Sequence, residues 1–548
     1  MMKRILTLLA VTLLCCNVFA QIDPTVEVSR HYKVNVADIE RPQSTDNHVA
    51  DSLQKFDVGF DYSIFARPYT DLYEFTPYQT DSISKVVRRR PPVLMAQLGA
   101  QYPFAPEAML RTQLVTRPRF NMGLDGNLKG ALTTLDYMGQ ENLLGVMHLN
   151  GVISGNMKHS WSTGELTTVL NYKLDEYADA IGEDALAHTI NSFEVGVNLA
   201  SANPADGSVF YNINFNYEKA NKQLTGLMPV DTSYNNSRLS LKGTLGSSFD
   251  RHRVYVDLKY QNAVSGRDDQ KVNVGLLEFM PMYEYARGPL KLRAGARFGN
   301  KYIGTDANTT IHPELDIKFE LIKNTIWLRG LLSGGNELNA LVDYIHDAPW
   351  LCNGLDGQAA VASDAICVRN LETKISIESI VAGRFALSPY FAYSNFSNKI
   401  QLRTGFTESG LPYLLPEYSD YKVTQWGVET SWKSKNLTIN AHLRHNNPFT
   451  DSEEPVYMVA DWQIGGSLEF NIKRRLFLNA SYTYESERES WGGTIPDYSD
   501  LNVVLTWVLG RNFAIYLKGG NLLNNPNFRY FEIPELPRNL GGGIRINF

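Results

Sequence analysis

The fold is decided by one stretch of alternating residues, Val209-Phe210-Tyr211-Asn212-Ile213-Asn214-Phe215-Asn216-Tyr217-Glu218. Its odd-numbered residues are all apolar, and from Asn212 onward its even-numbered residues are all polar. Successive side chains of a β-strand point to opposite sides of the sheet, so this stretch predicts a strand with one apolar and one polar face. Such a strand separates an apolar environment from an aqueous one.

The same alternation returns along residues 93–548, for example at 254–261, 437–444 and 476–485. Short predicted turns lie at 162–165, 287–289, 323–324, 387–389, 433–436, 473–475 and 510–512. They alternate with long predicted loops at 179–189, 219–236, 334–372, 404–421, 486–499 and 524–538. Outer-membrane barrels have short periplasmic turns and longer outer loops, whereas a soluble β-sandwich needs no such order. The sequence therefore predicts an all-β, transmembrane antiparallel up-and-down β-barrel.

The number of strands follows from closure of the sheet. Hydrocarbon offers no hydrogen-bond partner, so a spanning sheet must close on itself. With both ends on the periplasmic side, the number of strands must be even. Counting back from Phe548 gives about 22 strands, the first near residues 93–101. Two weak candidate strands, 109–116 and 119–126, leave about 20 strands as the alternative.

The N-terminus has the features of a secretory signal peptide. Lys3 and Arg4 precede an apolar stretch at 5–14, and Val18-Phe19-Ala20 offers small residues at the positions that signal peptidase reads. We expect residues 1–20 to be removed, with cleavage before Gln21, which indicates export into a Gram-negative envelope. Acylation at Cys15 or Cys16 is the alternative, but a lipoprotein signal needs a small residue where Leu14 stands.

The composition agrees with a membrane barrel and excludes one other class of protein. Mean hydropathy is -0.25 and hydrophobic residues make up 43%, because in a barrel only alternate residues face lipid. Aromatic residues, at 11%, suit the girdles at the two membrane interfaces. Lys and Arg number 52 against 58 Asp and Glu, so no basic excess predicts nucleic-acid binding.

Residues 21–92 differ from the rest of the chain. They are rich in Asp, Pro and Ser and end in Arg88-Arg89-Arg90. We interpret them as a mostly extended periplasmic segment that serves as a partial plug or docks a partner. A solvated linker is an equally good interpretation of the arginine run.

Two cysteines remain after signal removal, Cys352 and Cys367, within the longest predicted loop. The periplasm is oxidising, so this pair predicts a disulfide within the loop, with two unpaired thiols as the alternative.

The C-terminal residues resemble a known family. The sequence Gly519-Gly520-Asn521-Leu522-Leu523-Asn524 ends one predicted strand, and Asn539-Leu540-Gly541-Gly542-Gly543-Ile544-Arg545-Ile546-Asn547-Phe548 forms the last. Together they closely resemble the C-terminal end of TonB-dependent receptors. The resemblance covers residues 93–548 and implies a 22-stranded barrel in the cell outer membrane, in contact with its lipid. A terminal aromatic residue such as Phe548 resembles the signal by which the barrel-assembly machinery recognises these proteins.

The resemblance ends at the N-terminal side. Members of this family carry a folded plug and a TonB-coupling motif, but residues 21–92 have room for only about half a plug and show neither its glycine pattern nor the motif. The chain therefore resembles a receptor barrel without its plug, and TonB is a doubtful partner.

The sequence contains no pattern that predicts an enzyme, a metal site or a cofactor. Phosphate-loop, zinc-helix and nucleophile-turn motifs are all missing. His442, Arg444, Lys518 and Arg545 are expected to face the lumen, where polar residues need no catalytic role. His346 and Asp347 have no third partner nearby in the sequence.

Ligand contacts are better expected on the outer loops. The candidate residues are Phe406, Tyr413, Leu414, Tyr418 and Trp350, which make the loops more apolar than solvation requires. Packing of these side chains over the barrel mouth is the alternative with equal weight.

Two functional hypotheses follow. The first is a porin-like or receptor-like transport protein for solute passage or capture, with residues 21–92 folded partly into the lumen. The second is a non-enzymatic structural or assembly subunit that docks a periplasmic or lipoprotein partner. Active TonB-coupled uptake is a third reading.

Overall fold

The computed structural model describes residues 93–548, apart from 137–142, 203–206, 227–231, 268–269, 304–305, 353–365, 453 and 511. The predicted signal peptide at 1–20 and the segment at 21–92 lie outside the described residues. Among the residues described, no helix is both long enough and apolar enough to cross a membrane.

The first thirteen strands are β1 (Leu94–Tyr102), β2 (Ala105–Arg117), β3 (Phe120–Asp136), β4 (Leu143–Ser160), β5 (Gly164–Ile181), β6 (Asp184–Ser201), β7 (Val209–Thr225), β8 (Thr232–Phe249), β9 (His252–Arg267), β10 (Gln270–Arg287), β11 (Leu290–Ile303), β12 (Asp306–Ile322) and β13 (Ile326–Leu338). A single 3-10 turn follows at Leu341–Asp343. The remaining strands are β14 (Ile366–Val381), β15 (Phe385–Phe406), β16 (Pro412–Lys433), β17 (Leu437–Phe449), β18 (Trp462–Ile472), β19 (Leu476–Glu485), β20 (Arg488–Ser490), β21 (Gly493–Ile495), β22 (Tyr498–Val508), β23 (Phe513–Gly520), β24 (Phe528–Tyr530), β25 (Ile533–Pro534) and β26 (Asn539–Asn547).

Twenty-two of these strands form one closed antiparallel sheet. Strands β1 to β19 pair in chain order, followed by β22, β23 and β26, and β26 pairs back onto β1. The backbone N–H of Val93 donates to the carbonyl of Phe548 at 2.8 Å, so the first and last described residues meet at one rim. The predicted fold class, the count of about 22 strands and the position of the first strand are confirmed.

The barrel wall has two zones, which β7 shows most clearly. In its first half the odd-numbered apolar residues, Val209 to Tyr217, face outward and the Asn and Glu residues face inward. In its second half the outward side chains of Lys219, Asn221 and Gln223 are polar and exposed. The inward side chains of this half are buried, and two of the three, Ala220 and Leu224, are apolar. The lower zone therefore suits lipid outside and water inside. The upper zone suits water outside and packed apolar side chains inside.

Strand β10 repeats this reversal. Near its upper end Lys271 and Asn273 are exposed on the outside, while Val274 is buried inside. Further down, Phe279 is exposed on the outside and Glu278 is buried on the inside. A spanning strand needs only about 9–11 residues, and β4 to β8 have 17 or 18. The upper zone thus projects beyond the membrane as a ring of long hairpins.

Several predicted connections are wrong because the strands are longer than expected. Predicted loops 179–189, 219–236 and 404–421 are largely the upper ends of β5 to β8, β15 and β16. The turn predicted at 387–389 lies inside β15, and the chain turns instead at 382–384, where Ala382 and Gly383 have positive φ. Pro389 misled the prediction, since it is accommodated within the strand.

Candidate functional site

Residues 339–352, called here the infolded segment, leave the top of β13 and turn into the barrel. The segment contains the 3-10 turn, and its apolar side chains Leu341, Val342, Ile345, Ala348 and Leu351 are all buried. They form one cluster with apolar side chains of the upper zone, namely Ile190, Ala220, Ala263, Val274, Ile400, Leu402 and Leu414. The reversed polarity of the upper zone is explained by this core.

A polar contact anchors the middle of the segment to β5 and β6. Nδ1 of His346 donates to the carboxylate of Asp175, since a carboxylate only accepts. Nε2 of His346 then accepts from the hydroxyl of Ser192 at 2.7 Å. Four residues further along β5, the carboxylate of Asp179 accepts from the indole N–H of Trp350. Both aspartates are almost fully buried.

Lys222 on β7 holds the end of the segment. Its side chain has no exposed surface, and its ammonium donates to the carbonyls of Pro349 and Leu351. These two carbonyls satisfy two of its three donors. On the neighbouring strand β8, Arg238 forms an ion pair with Asp343 in the 3-10 turn.

The opposite side of the segment pairs with β16. The N–H of Cys352 donates to the carbonyl of Leu414 at 2.8 Å, and the N–H of Leu414 donates to the carbonyl of Trp350 at 2.9 Å. The amide of Asn339 donates to the carbonyl of Asn398 on β15 at 2.9 Å. The segment is therefore fixed to β5–β8 by side chains and to β16 mainly by backbone.

Of the residues predicted as ligand contacts, Trp350 belongs to this segment and the other four lie around it. Leu414 is completely buried in the cluster described above, and Tyr418 and Trp350 pack against it. Tyr413 belongs to a second cluster with Leu186, Leu224 and Cys352, and Phe406 packs against that cluster. These contacts match the packing alternative, and a ligand role for any of the five stays a prediction.

The predicted disulfide between Cys352 and Cys367 is not formed, and both cysteines are free and buried. Cys352 lies in the cluster with Tyr413, whereas Cys367 lies on β14 in a separate cluster with Phe396 and Tyr421. Each thiol is an apolar packing group in its own core, which the spacing of the two residues could not reveal. Burial raises the pKa of the Cys352 thiol, and the ammonium of Lys222 partly offsets this.

The predicted lumen residues have individual partners. Nε of Arg444 donates to the hydroxyl of Tyr390 at 3.1 Å, and Nζ of Lys518 lies 3.1 Å from Oε2 of Glu107. Nε of Arg545 donates to Oε1 of Gln97 at 2.9 Å. The His442 ring lies over Gly465, where an added Cβ would come within 2.2 Å of it.

Charges elsewhere on the lower inner wall are paired across strands. Lys259 lies 3.2 Å from Glu278, and Arg329 lies 2.7 Å from Asp316. Arg297 lies 3.3 Å from Glu314. Positive and negative charges on this wall therefore neutralise each other in pairs.

Sequence reasoning missed the anchors of the segment. His346 and Asp347 have no third partner nearby in the sequence, but Asp175 and Ser192 reach His346 from 171 and 154 residues away. The order Asp175–His346–Ser192 is that of a catalytic triad. Ser192, however, is only 2% exposed, so a substrate carbonyl cannot reach its hydroxyl, and the arrangement acts as an anchor. Within the described residues, no three His, Cys, Asp or Glu side chains are placed to hold a metal ion.

Comparisons with known proteins establish the fold. No protein-family model matches the sequence, and no curated protein matches it significantly. The FrpB iron transporter from Neisseria meningitidis matches with a TM-score of 0.62 and 9% identity, over 84% of this chain and 82% of that chain. The siderophore receptor PirA from Acinetobacter baumannii matches with a TM-score of 0.61 and 12% identity, over 84% and 81%. The ferric-catecholate import receptor Fiu from E. coli K12 matches with a TM-score of 0.62 and 10% identity, over 84% and 82%.

At these identities the similarity concerns architecture. The barrel implied by the resemblance to TonB-dependent receptors is confirmed, and the chain shares its fold with outer-membrane receptors and transporters.

Proposed function

We propose that this chain is an outer-membrane transport or receptor protein that captures a solute at the cell surface or passes it inward. The observation that carries the proposal is the lower zone of the barrel. Its outer face is apolar where lipid would lie, and its inner face is lined with paired charges and amides. A wide polar lumen in an apolar cylinder is what a water-soluble cargo requires. The named activities of structures with this fold, iron transport and siderophore reception, support a transport role without identifying the solute.

Under this proposal the chain is not an enzyme. The triad-like arrangement of Asp175, His346 and Ser192 is buried and holds the infolded segment in place. Residues 21–92 belong to the proposal as a periplasmic segment that fills part of the lumen or meets a partner. Insertion would use the C-terminal strand β26 and Phe548 as the contact with the assembly machinery.

The test compares the parent strain, a strain in which the gene is deleted, and the deletion strain complemented with the gene. All three receive the same panel of radiolabelled small solutes, and accumulation in whole cells is measured. We expect the deletion to reduce accumulation of at least one solute and complementation to restore it. Unchanged accumulation across the panel contradicts the transport role.

The second candidate function, an assembly subunit, is favoured by one observation. The upper zone presents exposed polar side chains such as Lys219, Asn221 and Gln223 well away from the apolar belt. This outer surface offers a partner a rigid, water-facing wall. Co-purification of another protein in equal amount from native outer membrane, with no change in solute accumulation, supports this function over the first.

A further inference from the structure

The infolded segment has contacts with several strands around the barrel interior. Its side-chain anchors are on β5, β6, β7 and β8, and its backbone partner, Leu414, is on β16. The segment leaves the top of β13, and its last residues are held by Lys222 of β7, six positions away in the ring of 22 strands. Leu414 meets it there from the end of β16, beside Tyr413, which packs with Leu186 of β6 and Leu224 of β7. A segment that starts at β13 and is held at β7 crosses the upper end of the lumen.

Apolar side chains from the wall and from the segment pack together in the upper lumen at this level. Ile190, Ala220 and Val274 project from the wall into the same cluster as Ile345 and Leu351 of the segment. Ile533, from the connection between β23 and β26, joins the cluster, and Tyr530 packs against it. Where these described side chains pack together, they offer water and dissolved ions no hydrogen-bond partner.

We propose that the infolded segment is an internal gate that closes the outer end of the lumen. It divides a polar lower chamber from the cell exterior, and its removal from the core opens a continuous pore. This proposal rests on the proposed transport function and adds the element that controls passage.

Buried polar groups next to the segment that make no hydrogen bond to the described residues lower the stability of the closed state relative to an open one. Among the residues that the structure describes, neither ring nitrogen of His188 has a hydrogen-bond partner, although the side chain is completely buried. Nε2 of His148 and Oδ1 of Asp179 lie 3.9 Å apart, which is too long for a hydrogen bond, and no other described residue bonds to either atom. Buried polar groups without partners disfavour the state that buries them. Opening the segment would let water reach these atoms, which offsets part of the loss of apolar contacts.

The test compares the full wild-type chain with a Lys222→Met/His346→Ala double variant. All proteins carry Cys367→Ser, so that Cys352 is the thiol that is labelled. The variant removes the anchors to Pro349, Leu351 and Asp175. A Lys219→Met variant is the matched control, because Lys219 lies on the same strand with its side chain exposed. Two readouts are combined: planar-bilayer conductance, and modification of Cys352 by a membrane-impermeant maleimide.

We expect wild type and control to be non-conducting with Cys352 protected. The double variant should label at least tenfold faster and show steady conductance. Steady conductance of wild type with Cys352 still protected would overturn the proposal, and so would a double variant that labels rapidly without conducting.

If the double variant remains protected, a second variant replaces residues 340–351 by a Gly-Ser linker of equal length. This variant must conduct, and a folded, heat-modifiable barrel that stays closed overturns the proposal. Failure to form a heat-modifiable barrel in wild type would instead refute the membrane barrel on which the transport function depends.

Discussion

The ammonium of Lys222 donates a hydrogen bond to the carbonyl of Leu351, which lies 129 residues further along the chain. Lys222 points into the interior with no exposed surface, and the backbone of the infolded segment supplies its acceptors. The contact therefore couples a strand of the wall to the end of the segment, and neither group has water as an alternative partner.

Replacing Lys222 by Met should loosen the segment without unfolding the barrel. Each buried carbonyl left unpaired costs about 1–3 kcal/mol, so local opening should become at least about tenfold more frequent, since 1.4 kcal/mol corresponds to a factor of ten. Amide hydrogen exchange over residues 345–352, followed by mass spectrometry, measures this. Lys219→Met, on the exposed side of the same strand, should leave exchange unchanged. Equal exchange in both variants would show that Lys222 does not hold the segment.

The two zones of the wall predict opposite tolerance for charge on one strand. Ile213 faces outward in the lower zone and is 43% exposed, so Ile213→Arg places a cation in hydrocarbon at a cost of about 2–4 kcal/mol. Gln223 faces outward from the same strand in the upper zone, where Gln223→Arg meets water and should cost almost nothing. Urea unfolding of the barrel in lipid vesicles compares the two variants. A similar loss of stability in both would place the membrane boundary above Gln223.

The sequence predicted the lower zone well because its alternation follows one rule. From Tyr211 to Glu218, apolar side chains meet lipid and polar ones meet the lumen, so period and polarity both indicate a strand. The same rule ended β7 too early. Residues 219–225 still alternate, but their polarity is reversed, and a search for apolar residues on the outer face assigns them to a loop. A reversal of phase within an unbroken alternation was the signal that could have found the upper zone.

The candidate site could not be predicted in the same way. Asp175, Ser192 and Lys222 occupy ordinary inward positions of their strands, and nothing local marks them as anchors. Their role depends on residues more than 120 positions away that fold back inside the barrel. The apolar character of residues 404–421 correctly indicated that these side chains are buried. They pack against the infolded segment, however, and not within a loop of their own.

The thiol of Cys352 should be a sensitive probe of the closed segment. Burial raises its pKa above the ordinary value of 9.0, so at neutral pH it holds less reactive thiolate than a free cysteine. In a Cys367→Ser background, maleimide should react far more slowly with native protein than with protein boiled in SDS. Because the folded state binds the proton more tightly, its stability should fall as pH rises from about 9 towards the raised pKa. Equal labelling rates in native and boiled samples would show that Cys352 is accessible.

The contact between Leu351 and Leu414 should be the strongest apolar coupling of the segment to the wall. Both side chains are almost completely buried in one cluster, and their backbones form a parallel bridge. Leu351→Ala and Leu414→Ala should each cost about 2–5 kcal/mol, because the truncated side chain leaves a cavity in a packed core. The double variant should cost less than the sum by about 0.5–3 kcal/mol, since residues in contact share part of the loss. Denaturant unfolding of the four proteins gives this coupling free energy, with Leu128→Ala, whose side chain is 46% exposed, as the control for an exposed leucine. Strict additivity would mean that the two residues do not pack on each other, and the segment would then be held to β16 by backbone hydrogen bonds alone.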